Sequence, residues 1–256
     1  PSGQPIWLDI ATRSAKAVRE LSNQGLKLKD ILTSASIRNA MMVHAACGGA
    51  TNLLLHIPAI AFAANLPRPT VADWNEVNRQ VPRFVSVLPN GPTNHPTVRL
   101  FLAGGVPEVM LHLRRMGLLH VDALTVTGET IGSVLDWWEG SERRAAARAR
   151  LAESDAVDPD RVIMDADAAR SNGLASTVVF PVGNVAPEGS VIKATAIAPS
   201  VIDSDGVYRH RGPARVFVSE RDAITAIKGR DGRPVVAHHG VVLIGAGPLG
   251  TGIAEH

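Results

Sequence analysis

Two stretches of this 256-residue sequence carry residue types whose spacing points to ligand chemistry. The first is Cys47-Gly48-Gly49-Ala50-Thr51-Asn52, which runs into an apolar segment, Leu53 to Ala64. Two glycines ahead of a helix N-terminus let a substrate approach free backbone N–H groups. Those groups and the helix dipole favour an anion such as a carboxylate or phosphate. Thr51 and Asn52 add neutral hydrogen-bonding groups. The same residues also have a plainer reading, with Thr51 as a helix cap and the glycines as room for close helix packing. The second stretch is the C-terminal "GVVLIGAGPLGTGIAEH", in which Gly245, Gly247 and Gly250 fit G-x-G-x-x-G after the apolar run Val241 to Ile244. A dinucleotide site further requires a following helix, a second parallel strand and an acid about 20 residues on. Only six residues follow Gly250, and Pro248 removes an N–H that a pyrophosphate would use. The run therefore reads as a tight turn, or as a glycine loop that lets backbone approach a ligand and delivers Glu255 to it.

The remaining reactive residues have quieter readings. His56 lies one turn after Asn52 and reads as a satisfied core histidine. His238-His239 has no third ligand at metal spacing. Cys47, at the end of an apolar helix, reads as a packed small residue rather than a nucleophile. In Phe180 to Ile197, Gly183-Asn184 and Pro187-Glu188-Gly189 punctuate two β-branched runs, either as a hairpin-like turn or as a buried polar loop at a domain junction.

Periodicity and punctuation supply the elements that must hold these residues. Helices are expected over Trp7 to Ser22, over Ile37 to about Ala46 with Ser36 as cap, and over Asn52 to Asn65 with Thr51 as cap. The last is apolar nearly all round and is expected to be buried, bent at Pro58. Thr70-Val-Ala-Asp73 resembles a capping box, and Pro82 stops the helix it opens. Phe84 to Leu88 reads as a strand, Pro89 to Pro96 as a loop and Val98 to Ala103 as a helix. After Gly104-Gly105, Pro107 suits the first turn of a helix running to Met116, with Gly117 past its end. Ala123 to Val126 reads as a strand and Glu142 to Ala152 as a charged helix with a solvated Arg face. From Val162 onward β-branched runs dominate, with one helix at Glu220 to Lys228. The expected fold is α/β: the later part of an α/β/α domain over residues 1–157, followed by the start of a β-rich, barrel-like domain over 158–256, the boundary falling between 155 and 178.

Composition narrows the function classes. Lys and Arg number 26 against 24 Asp and Glu, aromatics are 4%, and the basic residues are scattered, which argues against a nucleic-acid surface. No apolar run is long enough to span a bilayer, because Leu53 to Ala64 contains His56 and Pro58. One cysteine makes neither an internal disulfide nor a cysteine-based metal site, and a reducing, cytoplasmic setting follows as the default. Pro1 at the start and a glycine turn at the end read as cuts through a longer chain.

Taken together, "NAMMVHAACGGATNLLLHIPAIA", "GGVPEVMLHLRRMGLLHVDALTVTG", "GNVAPEGSVIK" and "GPLGTGIAEH" resemble the dihydroxy-acid and 6-phosphogluconate dehydratase superfamily. "SVLPNGPTNHPTVR", "LDWWEGSERR" and "RVFVSERDAITAIK" are most similar to its D-xylonate dehydratase branch. The resemblance covers essentially the whole chain. It implies a hydro-lyase that converts a 2,3-dihydroxy acid to a 2-keto-3-deoxy acid. The resemblance further implies that Mg²⁺ on the carboxylate and C2 oxygen would stabilise carbanion-like charge, that an iron–sulfur cluster would take the C3 hydroxyl, and that a serine would serve as base. Residue by residue, it implies that Glu255 is a magnesium ligand and that Gly48, Gly49, Thr51 and Asn52 match the family's G-G-S-T-N motif and line the substrate pocket. Ala50 stands where the family usually has serine, and Ala254 where close relatives often carry a second acid. Cys47 matches no cluster cysteine. The cluster cysteines and the other magnesium ligands are expected before Pro1 and the serine base after His256, so that no catalytic residue falls in this chain, which by itself is expected to be inactive. The resemblance also implies a homo-oligomer, a dimer or tetramer, with a small sugar acid as partner and neither nucleic acid nor membrane. Two competing readings are an NAD(P)-dependent oxidoreductase using the terminal glycines and a non-catalytic carboxylate-binding domain.

Overall fold

The computed structural model describes residues 3–90 and 95–245. The chain folds as two compact units, Pro1–Thr195 and Ala196–His256. The first unit is built on helices α1 (Pro5–Asn23), α2 (Leu28–Ile31), α3 (Ser34–Cys47), α4 (Leu53–Ala63), α5 (Val71–Gln80), α6 (Thr97–Leu102), α7 (Gly105–Arg115), α8 (Ile131–Glu139), α9 (Glu142–Asp155) and α10 (Ala166–Ser171). A two-residue antiparallel pair closes it, β1 (Val178–Val179) against β2 (Ile192–Lys193). The second unit holds β3 (Ala214–Phe217), α11 (Glu220–Ile227) and β4 (Gly240–Leu243), with β3 and β4 parallel. Among the described residues no helix is long and apolar enough to cross a membrane.

Helix α3 lies at the centre of the first unit. It starts earlier than its sequence suggests, because Thr33 rather than Ser36 is the cap. The Thr33 hydroxyl accepts from the Ser36 N–H at 3.2 Å, and the Ser36 hydroxyl accepts from the Thr33 N–H at 2.8 Å, which makes a reciprocal box. Its buried side, Ile37, Met41, Met42, Ala45 and Ala46, packs into the main core. Helix α5 opens on the expected Thr70–Asp73 box, where the Asp73 carboxylate accepts from the Thr70 N–H at 2.7 Å. Its Trp74 and Val77 are buried against the same core.

The segment after Pro82 does not form the expected strand. It is a single extended spine that touches two neighbours in turn. The Phe84 N–H donates to Ala46 O at 2.8 Å, the Ser86 N–H to Val162 O at 2.9 Å, and the Met164 N–H to Phe84 O at 2.9 Å. Pairing with the "RVIM" run amounts to one bridge, Val85 to Ile163. A spine that must meet the end of a helix on one side cannot propagate a ladder there. Phe84, Val85, Val162 and Ile163 are nonetheless among the most buried residues in the chain.

Three further expectations are corrected. Ala123 to Val126 forms a turn closed by a Leu124–Thr130 bridge, not a strand. Helix α4 buries Leu54, Ile57 and Ala61 but leaves Leu53, Ile60 and Phe62 exposed, so it is buried on one side only. The Arg face of α9 is not simply solvated. Arg144 grips the carboxylate of Glu108 on α7 with two hydrogen bonds of 2.6 and 2.7 Å, and Arg148 lies 3.7 Å away. Glu108 is 2% exposed. Burial raises its pKa, but the hydrogen bonds and charges of Arg144 and Arg148 outweigh that and hold it below the usual carboxylate range. The Gly104 turn is shaped to this carboxylate: a Cβ there would stand 2.7 Å from the Glu108 Cβ.

Removing one partner of a buried ion pair leaves the other charge uncompensated. Glu108→Gln is expected to destabilise the protein by about 3 kcal/mol, read from the denaturation midpoint. Arg143→Gln, on the exposed side of α9, is expected to change it by less than about 0.5 kcal/mol.

Candidate substrate-binding turn

The turn between α3 and α4 is fixed by its fit to its neighbours. Helix α3 ends in a Schellman arrangement: Gly48 is left-handed at φ 65°, its N–H donates to Ala45 O at 3.1 Å, and the Gly49 N–H donates to His44 O at 2.8 Å. A Cβ at Gly48 would stand 2.6 Å from Thr177 Oγ1 and 2.7 Å from Arg83 Cδ. A Cβ at Gly49 would stand 2.3 Å from His44 Cδ2. Both glycines are thus required by close approach, though of the His44 ring, the Arg83 stem and Thr177 rather than of a second helix.

His44 locks the next residue. Its Nε2 lies 2.9 Å from Ala50 O. A carbonyl only accepts, so Nε2 carries the proton and the ring is held as that tautomer. The ring is 4% exposed and meets Trp74 edge-on at 5.3 Å. Burial lowers its pKa, against a smaller opposing effect of the Ala50 hydrogen bond. A second tie comes from Asn90, whose Nδ2 donates to Gly48 O at 2.9 Å and whose Oδ1 accepts from Thr195 Oγ1 at 2.9 Å.

The cap of α4 differs from expectation. Asn52, not Thr51, is the capping residue, and its side chain makes no cap hydrogen bond. The first N–H groups of the helix are already used in tight turns, Leu53 to Ala50 O, Leu54 to Thr51 O and Leu55 to Asn52 O. The anion-binding reading requires free donors in that first turn. Among the described residues, the backbone N–H groups left over are those of Ala50, Thr51 and Asn52. The side chains of Thr51 and Asn52 are half-buried and make no hydrogen bond within the described residues. They leave a hydroxyl and an amide available at a rigid turn.

The other sequence candidates fall outside this turn. His56 is half-buried on α4 rather than a core histidine. Cys47 packs against the main core, and burial pushes its thiol up to about 12, which leaves it neither nucleophile nor thiolate ligand. His238 and His239 lie in an exposed loop, where His239 Nδ1 accepts from the Val236 N–H at 3.3 Å. Gly183-Asn184 forms the exposed turn of the β1–β2 hairpin, not a buried polar loop. Glu255, Gly247 and Gly250 lie outside the described residues. Gly245 has φ 75° just after β4. That strand closes a β–α–β unit, β3–α11–β4. Among the described residues no three His, Cys, Asp or Glu side chains converge as a metal site. Arg83, beneath Gly48, was missed by sequence reading. Nothing local marks it, because its burial depends on residues far away along the chain.

A helical turn of this kind beside a core of α3, α5 and α7, followed by a short β–α–β unit, defines a mixed α/β protein with its candidate site at a helix junction. Sequence comparison gives its family. The model of the dihydroxy-acid/6-phosphogluconate dehydratase N-terminal domain matches residues 1–134, and the corresponding C-terminal model matches residues 161–256. The chain belongs to the dihydroxy-acid/6-phosphogluconate dehydratase family. It is 61% identical to D-xylonate dehydratase YagF and 56% identical to D-xylonate dehydratase YjhG, both of Escherichia coli K12, over all of this chain and 38% of each relative. It is 38% identical to a dihydroxy-acid dehydratase of Lachnospira eligens over 87% of this chain and 35% of that relative. The chain thus spans about two-fifths of the length of these two D-xylonate dehydratases.

Gly49→Ala forces the His44 ring or the turn to move and is expected to cost about 1–3 kcal/mol of stability in urea unfolding. Because His44 is neutral when folded and has a lowered pKa, the unfolded chain takes up its proton first. Stability is full above the unfolded value near 6.5 and is lost as pH falls below it. His95 and His112, whose pKa values burial also lowers, act in the same direction. The thermal midpoint is expected to fall between pH 7 and pH 5, and a flat profile would contradict neutral burial of these rings.

Proposed function

We propose that the full-length protein is a sugar-acid dehydratase, a hydro-lyase that converts a 2,3-dihydroxy acid, D-xylonate first among candidates, to a 2-keto-3-deoxy acid. In this reading Gly48, Gly49, Thr51 and Asn52 line the substrate pocket. Gly48 and Gly49 set the turn, and Thr51 and Asn52 face the substrate's hydroxyls. The observation that carries the site assignment is the pair of half-buried side chains, Thr51 and Asn52, that lack hydrogen bonds among the described residues at a turn otherwise tied down by His44 and Asn90. Half-buried, both groups stay within reach of solvent, and a ligand hydroxyl can take the place of water on them. The names of the 61% and 56% identical relatives support the reaction and the acid.

Turn residues of this kind bind and orient. The Thr51 hydroxyl both donates and accepts, the Asn52 amide does both through separate atoms, and a polyhydroxy acid presents hydroxyls that require such mixed partners. Held by the Schellman turn and His44, they need little reorganisation on binding, which spares ordering cost. Mg²⁺ and an iron–sulfur cluster are the cofactors this reading implies. Glu255 acts as a magnesium ligand, and the remaining ligands and the serine base come from outside this chain. The setting is cytoplasmic and the protein a dimer or tetramer. The exposed Phe62, Phe101 and Trp137 are apolar surface that assembly would cover.

The test is formation of 2-keto-3-deoxy acid from D-xylonate by the full-length protein, purified without oxygen. Dehydration is expected. Glu255→Gln is expected to lower it on the order of 100-fold or more, at the upper end of what losing a metal-site partner costs. Asn52→Ala is expected to raise KM about tenfold, the loss of one substrate hydrogen bond. Absence of dehydration, with micromolar binding of NAD(P)H instead, would favour the oxidoreductase reading. Sugar-acid binding without Mg²⁺ or turnover would favour a simple carboxylate-binding domain.

A further inference from the structure

Arg83 is a buried cation without a carboxylate among the described residues. Its residue exposure is 4%, yet it takes part in no ion pair there. Its Nη1 donates to the backbone oxygen of Asn90, the one hydrogen bond of the guanidinium among the described residues. Its Nε is buried and unpartnered, and so is the hydroxyl of Thr177, itself 4% exposed. Residues 91–94, adjoining Asn90, read Gly-Pro-Thr-Asn and contain no acidic side chain.

The position matters as much as the lack of a partner. The Arg83 stem and the Thr177 hydroxyl are the two groups that a Cβ at Gly48 would strike, at 2.7 and 2.6 Å. Asn90, which accepts from Arg83, also donates to Gly48 O. The stem of this unpaired cation thus packs against the first residue of the turn assigned above to substrate, and its guanidinium reaches Asn90, which is itself bonded to that residue. An isolated buried cation is expensive to hold, because desolvation is not repaid by an opposite charge. Burial accordingly pulls the Arg83 pKa below its ordinary value. Folding alone would favour methionine or leucine here. A guanidinium left without a carboxylate among the described residues fits an anionic ligand.

We propose that Arg83 is a substrate-binding residue whose guanidinium supplies the counter-charge for the carboxylate of the sugar acid held at the Gly48–Asn52 turn. The proposal rests on the assignment of that turn to substrate. A guanidinium with its Nε edge free presents parallel N–H donors suited to carboxylate geometry. The Thr177 hydroxyl, also unpartnered, meets the same face of Gly48 as the Arg83 stem and adds a neutral donor and acceptor there. The consequence is specificity: the pocket selects an acid over the uncharged polyol of the same length, because the polyol leaves the cation unpaired.

The test uses the full-length enzyme with Arg83→Met and Arg83→Lys, and two probes, D-xylonate as substrate and xylitol as competitor. Arg83→Met is expected to raise the KM for D-xylonate about tenfold or more, the cost of losing a charge-assisted hydrogen bond. It is also expected to reduce the preference for xylonate over xylitol, leaving the share that Mg²⁺ on the carboxylate would supply, while Arg83→Lys restores part of the loss. Without substrate, Arg83→Met is expected to leave the thermal midpoint unchanged or higher, since it removes an unpaired buried charge. A midpoint lowered by many degrees with the acid-to-polyol preference intact would overturn the proposal and make Arg83 half of a structural ion pair with another part of the protein. An Asn52→Ala variant measured alongside separates the two readings. If it shifts KM and Arg83→Met does not, the turn binds substrate without Arg83. If neither shifts KM, the turn itself is misassigned.

Discussion

Space beside the end of α3 is the constraint on which this structure turns. His44, Arg83 and Thr177 approach the chain at Gly48 and Gly49 so closely that no side chain fits at either position. That close approach sets the Schellman turn, aims Ala50 O at the His44 ring, and delivers Thr51 and Asn52 as the first residues not spoken for. The chemistry proposed for the turn is a by-product of its packing. A chain that must turn sharply between two packed helices exhausts its local hydrogen bonds on the turn, and the next polar side chains are left facing outward with nothing to do.

The remainder of the first unit keeps that junction rigid. The extended spine from Pro82 ties the end of α3 to the Val162–Met164 segment through backbone hydrogen bonds on both sides, and it carries Arg83 beneath the turn. Glu108, with Arg144 and Arg148, fastens α7 to α9, and α7 in turn packs on α3. Buried ions are a weak source of stability but a strong source of register, because a half-broken pair is so costly. Two buried cationic systems therefore have opposite characters. Arg144 is matched by Glu108, whereas Arg83 is unmatched among the described residues.

Local signals were legible in the sequence, and long-range ones were not. The Thr70–Asp73 box, the stop at Pro82, the Gly117 end of α7 and the helix at Glu220 all appear as read, because each depends on residues within one turn of chain. The cap of α3 was misread because both Thr33 and Ser36 can cap, and the reciprocal box uses both. Thr51 was misread as the cap of α4 because the tight turns that consume the first N–H groups cannot be seen in residue types. Helix α8 was not anticipated, although Ile131, Leu135 and Trp138 carry a helical spacing that now forms a small core of its own. The strands expected at Phe84 and Val162 reduce to one bridge, since β-branched runs report burial as readily as pairing. Arg83 and the Glu108 pair lay beyond reach, as both are defined by partners far along the chain. The family, by contrast, was legible from ordered motifs over the whole length, and both family models agree with it.

The most direct measurement is a crystal structure of the full-length protein with D-xylonate bound. The account requires the Thr51 hydroxyl and the Asn52 amide within about 3 Å of substrate oxygens, with the glycine turn and the His44–Ala50 hydrogen bond unchanged from the unliganded state. A substrate found elsewhere, with Thr51 and Asn52 bonded to other parts of the protein, would contradict it.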